Sequence, residues 1–203
     1  MEFRWNILKK PEKEIVSRIS NEINVDEKLA EVLVQRGVDS FDKAKSFFRP
    51  SLSELYDPFL MKDMNKAVER IEKALQQKEK ILVYGDYDVD GTTAVALVFS
   101  FLKKNYYESL IDFYIPDRYS EGYGISFAGI DYAKSNNFSL IIALDCGIKS
   151  IDKVDYANSL GIDFIICDHH TVGDEIPRAI AVLDPKRNDC QYPFKELSCL
   201  LYT

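Results

Sequence analysis

The sequence predicts an α/β fold, a mainly parallel sheet flanked by helices and preceded by a helical N-terminal leader. Two observations carry this. From Lys80 onward, short apolar runs alternate with segments of helix length, and strand–helix repetition of that spacing implies right-handed crossovers within one sheet. Before Lys80, residues up to about Gln77 carry apolar side chains at helical spacing and no cluster of chemically active groups. The expected division is a leader over residues 1–78 that packs on an α/β domain over residues 79–203. With 203 residues, 46% of them apolar and 12 each of Tyr and Phe, a sizeable core is within reach and disorder is not expected.

In chain order, Val25–Gly37 places Leu29, Val32 and Leu33 on one helical face, with Gly37 suited to a C-terminal cap. Ser40–Phe48 reads as a short helix capped by Ser40 or Asp39 and stopped at Arg49-Pro50. Ser51–Pro58 is a connector. Met61–Gln77 is amphipathic, with Met64, Ala67, Val68, Ile71 and Leu75 on a stripe and its charged residues on a solvated face. The expected strands are Ile81–Tyr84, Ile111–Ile115, Leu140–Leu144, Phe164–Cys167 and Ala179–Leu183, with helices near Thr93–Lys103, Ser126–Ser135 and Ile151–Leu160.

Three of these strands end in unusual polar residues. The stretch Lys80–Ala94 (KILVYGDYDVDGTTA) leaves its strand at Gly85 and presents Asp86, Asp88 and Asp90 on alternate positions. If that tip stays extended, all three carboxylates share a face. Like charges so close repel and raise one another's pKa, and a divalent cation relieves the repulsion; hard oxygen ligands suit Mg²⁺ or Mn²⁺. The third strand (LIIALDCG) delivers Asp145, and the fourth (DFIICDHH) delivers Asp168, His169 and His170, the last two being the only histidines in the chain. Parallel strands bring these endings to one edge, where open α/β sheets bind ligands. Two cations held there would bind a phosphoryl oxygen, activate water and stabilise a leaving oxygen. The alternatives are a solvated acidic turn and a zinc site on Cys146, Cys167 and the histidines. Zinc leaves the carboxylates unexplained, and Cys167 should point away from Asp168.

The formal net charge of −7 argues against a general polyanion-binding surface but leaves room for a local basic groove. No apolar segment has membrane-spanning length and the N-terminus lacks a signal-peptide core, so a cytoplasmic location is expected. Cys146, Cys167, Cys190 and Cys199 form no CxxC pair and are expected to be reduced and mostly buried.

The set GDYDVDGTTA, LDCG and CDHH resembles the three motifs of the DHH phosphoesterase family. The likeness is greatest to its exonuclease branch, to which PDRYSEGYGIS (116–126) and LDPKRNDCQYPFKEL (183–197) are also similar. The resemblance implies 5′ to 3′ hydrolysis of single-stranded DNA with Mn²⁺ or Mg²⁺, in DNA repair and recombination, with a single-strand-binding protein or a helicase as partner. It further implies that Asp86, Asp88, Asp145 and His169 hold the metals, with Asp145 bridging. His170 would contact the scissile phosphate or assist proton transfer. Asp90 and Asp168 would orient ligands, and Asp90 is counted with His170 and Asp145 among the catalytic residues. Arg118 would touch a phosphate, and Gly122 and Gly124 would let their loop approach closely. Leu82 stands where pyrophosphatase relatives carry a histidine. A later aspartate ligand of the family finds no match, since Asp174, Asp184 and Asp189 come too early, and the chain reads SCLLYT where family members continue. It is therefore expected to be a C-terminally incomplete piece, inactive alone. The rival readings are a phosphodiesterase of short oligonucleotides or cyclic dinucleotides, and a non-catalytic nucleic-acid-binding module.

Overall fold

Five strands, β1 (Lys80–Gly85), β2 (Ile111–Tyr114), β3 (Phe138–Leu144), β4 (Asp163–Cys167) and β5 (Ala181–Leu183), pair in parallel in the order β2-β1-β3-β4-β5. They belong to a computed structural model that describes residue 6 and residues 8–198. Strand alternation sorts the core into two layers. Ile81 and Val83 of β1, Ile142 and Leu144 of β3, and Ile165 of β4 face helices α4 (Met64–Gln76) and α5 (Val89–Asn105). Leu82 and Tyr84, Ile141 and Ala143, and Phe164 and Ile166 face α6 (Phe127–Ser135) and α7 (Ile151–Ser159). A parallel sheet covered on both faces must be apolar on both, which is why these strands read as continuous apolar runs. The register sets Tyr84 beside Ala143, and Leu144 beside Cys167, so the ends of β1, β3 and β4 lie side by side. From β1 the chain departs through α5 to β2 on one side, while β3 lies on the other. That is the point where strand order reverses and a crevice opens beyond the carboxyl ends.

The chain divides into two compact units, Met1–Leu55 and Tyr56–Thr203. The first holds helices α1 (Lys13–Ile23), α2 (Glu27–Gln35) and α3 (Phe41–Phe48). Asp26 caps α2 and Ser40 caps α3, and Gly37 takes φ 85° after α2. Of the expected α2 stripe only Leu33 is buried, beside Ala30, whereas Leu29 and Val32 are exposed. The expected boundary near residue 78 follows the onset of the strand–helix pattern. The second unit begins earlier because α4 packs on β5 and contributes Ala67 and Ala74 to the sheet's core.

Three elements differ instructively from expectation. The helix expected from Met61 starts at Met64, after Asp63 in the left-handed region (φ 67°). Its charged face is not wholly solvated: Arg70 is buried, donating to Asp163 at 2.6 Å and Glu79 at 2.7 Å. The helix expected from Thr93 begins four residues earlier, at Val89, because Asp88 Oδ1 accepts the Gly91 amide at 3.0 Å and caps it. The tip after β1 is thus not an extended run of three same-faced carboxylates. Asp90 lies in the first turn of α5, and Gly91 lets that turn close on the strand end. A Cβ at Gly91 would stand 2.7 Å from the Asp86 carbonyl oxygen.

After β5 the chain is fastened by Arg187. Its Nη1 donates to Asp63 Oδ2 at 2.7 Å and to the Val182 carbonyl at 2.6 Å, and its other edge grips Asp189 through Nε and Nη2 at 2.9 and 2.8 Å. Removing one partner of a buried ion pair leaves the other uncompensated. Arg187→Ala is therefore expected to lower unfolding stability by about 3 kcal/mol, read as a fall in the urea midpoint at unchanged slope; an unchanged midpoint would show that the clamp is dispensable.

Candidate metal centre

The site is built at the carboxyl ends of β1, β3 and β4. Asp86, directly after β1, is fully buried; its Oδ1 receives the Gly124 amide at 3.5 Å and its Oδ2 has no hydrogen-bond partner. Asp145 follows β3. Its amide extends the ladder to the Cys167 carbonyl at 2.8 Å, and its backbone then turns through φ 61°, a conformation Asp tolerates better than most residues. His169 Nε2 lies 3.0 Å from Asp145 Oδ1 and 3.8 Å from Asp90 Oδ2. Ligand atoms of Asp145, His169 and His170 all fall within 4.8 Å of one another. Asp88, exposed at the cap of α5, and Asp90 bear on Asp145 as like charges.

Electrostatics separate the carboxylates by role. Burial first, then the charges of Asp90 and Asp88, push Asp145 up to about 7. Burial also works against ionisation of Asp168, but hydrogen bonds from His170 and from the Ile148 and His170 amides outweigh it and hold that carboxyl low. Asp168 Oδ1 takes His170 Nδ1 and the His169 amide, each at 2.7 Å, and Oδ2 takes the Ile148 amide at 2.9 Å. It organises the turn over residues 168–170. Its bond to His170 raises the imidazole's pKa. Asp86, Asp88, Asp145 and His169, the four expected ligands, thus share one strand-end region, with His170 rather than Asp86 or Asp88 completing the tightest group of ligand atoms.

The residues fit a hard divalent cation. A buried carboxylate oxygen without a partner, a carboxyl raised by its acidic neighbours and an adjacent imidazole form a donor set that such an ion would satisfy. Zinc on the cysteines does not fit, because Cys146 and Cys167 belong to opposite layers of the core. Burial also pushes the Cys167 thiol up to about 12 and Cys146 well above its ordinary value. Cys146, Cys167 and Cys190 are buried and form no disulfide among the described residues, and Cys199 lies outside them.

The loop over residues 116–126 is more ordered in its bonding than a glycine turn. Tyr84 Oη donates to the Gly124 carbonyl at 3.0 Å and accepts the Ser126 amide at 3.1 Å, while Glu121 accepts from Tyr114, the Asp117 amide and Ser126. Within the chain, a Cβ at Gly122 would meet nothing within 4 Å, and one at Gly124 only Cys146 at 3.8 Å. What these glycines supply is positive φ, 82° and 80°. Between them stands Tyr123, whose hydroxyl is 3.3 Å from His170 Nε2. Arg118 is exposed, with its guanidinium 5.1 Å over the Tyr87 ring. Sequence reasoning passed over Tyr123, whose only signal is its place in EGYG. It also set aside Asp184, a fully buried carboxylate directly after β5 that accepts the Lys186 amide at 2.7 Å and is raised by burial to about 6.

A strand-end crevice lined by motif carboxylates and paired histidines defines the class, and the comparisons agree. Residues 80–201 match the family model described as the DHH family, N-terminal domain, and the chain belongs to that family. It is 41% identical over 195 residues to the single-stranded-DNA-specific exonuclease RecJ of Bacillus subtilis, an alignment covering 96% of this chain and 24% of the relative. A crystal structure of exonuclease RecJ bound to manganese superposes with a TM-score of 0.58 at 29% identity, covering 66% of this chain and 34% of that one. RecJ of Thermus thermophilus in complex with Mn²⁺ shares the fold, with a TM-score of 0.64 at 24% identity over 98% of this chain and 27% of that one. The chain spans about a quarter of the length of the curated relatives it matches.

The raised carboxyls carry a pH signature. Asp145 and Asp184 titrate in the folded chain at about 7 and about 6, above the ordinary carboxylate value near 4. Between about pH 4 and 7 the folded state therefore binds protons that the unfolded state has released, so stability falls as pH rises through that window. In EDTA, the melting temperature is expected to drop from pH 5 to pH 8, and Asp145→Asn to raise it at pH 8 by removing a buried like charge. A variant less stable than the parent at pH 8 would contradict this assignment.

Proposed function

We propose that this chain is the metal-binding part of a phosphodiester hydrolase that digests single-stranded DNA from its 5′ end, with Mn²⁺ or Mg²⁺ as cofactor. The observation that carries the reading is the convergence of Asp145, His169 and His170, with Asp86, Asp88 and Asp90 beside them, at the switch point of the sheet. The names of the relatives and the metal-bound neighbours support it. So does Leu82, fully buried in the layer that faces α6 and α7 at the position where pyrophosphatase relatives carry a histidine, against the pyrophosphatase branch.

In this reading Asp86, Asp88, Asp145 and His169 would hold the cations, with Asp145 as the central ligand. Bound there, the cations supply charge stabilisation to the phosphoryl group and acidify a water. Asp168 keeps His170 oriented through Nδ1, leaving Nε2 toward the scissile phosphate. Asp90, on the first turn of α5, steadies His169. Arg118 and the loop of Gly122 and Gly124 guide the strand along Tyr87. Among the described residues no helix is long and apolar enough to cross a membrane. We place the protein in the cytoplasm, in repair and recombination, with a single-strand-binding protein or a helicase as partner, on family resemblance.

Manganese soaks with anomalous diffraction test the centre, with density expected between Asp145, His169 and the β1 carboxylates. In the full natural polypeptide carrying this sequence, Mn²⁺-dependent release of mononucleotides from 5′-labelled single-stranded DNA is expected to vanish in Asp145→Ala and to fall less in Asp90→Ala. Equal loss in both would move Asp90 into direct metal contact, and digestion of duplex ends at the same rate would defeat the substrate assignment.

A further inference from the structure

Tyr123 belongs to none of the three motifs, yet it engages the remaining nitrogen of His170. Asp168 Oδ1 holds His170 Nδ1 at 2.7 Å, and the Tyr123 hydroxyl holds Nε2 at 3.3 Å. Asp168 also accepts three backbone amides, those of Ile148, His169 and His170, so it is an acceptor throughout and Nδ1 carries the hydrogen. In the neutral imidazole Nε2 is then a lone pair, and Tyr123 is its donor. The phenol is guided from several sides. Its ring meets Tyr87 edge-on at 5.8 Å and His170 at 6.1 Å, its backbone is framed by two positive-φ glycines, and the next carbonyl is pinned by Tyr84. The side chain is nevertheless reachable, since Tyr123 is 53% exposed. Its hydroxyl also faces the buried Asp86 carboxylate.

We infer that Tyr123 is a positioning residue for His170 and a hydrogen-bond donor to the phosphate oxygen of a nucleotide at the metal centre. The second half rests on the phosphodiesterase reading above; the first does not. In the resting site the hydroxyl fixes the imidazole tautomer together with Asp168. When a phosphate enters, the hydroxyl hydrogen turns to an anionic oxygen and leaves the Nε2 lone pair free to take up a proton. No covalent bond is made or broken in this exchange.

The test uses Tyr123→Phe in the 203-residue chain, with Tyr119→Phe, which is almost fully exposed on the same loop, as control. Nitrogen-15 spectra of the histidine rings should show His170 Nε2 moving downfield, toward an unbonded lone pair, in Tyr123→Phe and unmoved in the control. Calorimetric titration of the Mn²⁺-loaded chain with thymidine 5′-monophosphate should give about tenfold weaker binding in Tyr123→Phe, the loss of one hydrogen bond to a charged group, with Mn²⁺ affinity unchanged. An unmoved Nε2 resonance overturns the positioning role. A shifted resonance with equal mononucleotide affinity overturns the phosphate contact alone. A wild-type chain that takes up no mononucleotide overturns the phosphate contact and the phosphodiesterase reading together, while the spectra still decide the positioning.

Discussion

The rest of the structure depends on a concentration of buried negative charge at one edge of the sheet. Asp86, Asp145, Asp168 and Asp184 each follow a parallel strand and each is almost completely inaccessible. Isolated buried carboxylates are costly, and they persist only where something compensates them. Asp168 is compensated within the chain by amides and an imidazole, and Asp184 in part by the Lys186 amide. Around Asp145 the charges of Asp90 and Asp88 add to the cost of burial, and Asp86 keeps a buried carboxylate oxygen with no hydrogen-bond partner. The folded chain thus carries a charge imbalance that a divalent cation is chemically suited to relieve.

The scaffold holds this imbalance in place by ordinary means. Two apolar layers cover the sheet, so the strands are fixed in register and their ends cannot drift apart. The first turn of α5 closes on the end of β1 through Gly91 and directs its amides toward the acidic edge, where a helix N-terminus favours negative charge. Arg187 fastens the segment after β5 to the start of α4. Loop 116–126 is tied down by Tyr84 and Glu121, which brings Tyr123 against His170.

Much of this was legible in the sequence. Apolar runs of strand length separated by helix-length segments located all five strands to within a few residues, because a doubly covered sheet leaves no polar alternation to blur them. The polar strand endings located Asp86, Asp145 and Asp168 at one edge, because parallel strands share a direction. Less was legible where a side chain competes for backbone. The cap formed by Asp88 moved the start of α5 to Val89 and carried Asp90 onto a helix, which alternate spacing could not reveal. The burial of Arg70 and the exposure of Leu29 and Val32 were set by partners distant in sequence. Tyr123 was hidden because its part arises from a loop conformation, with no periodic or motif signal of its own.

The central claim is that the buried carboxylates await a cation, and calorimetric titration of Mn²⁺ into the chain near neutral pH in buffers of different ionisation enthalpy tests it most directly. Asp145, raised to about 7, must give up its proton when the ion binds. Saturable binding with net proton release, both lost in Asp145→Ala, is the result expected. Binding without proton release, or with an affinity that Asp145→Ala leaves unchanged, would contradict the account.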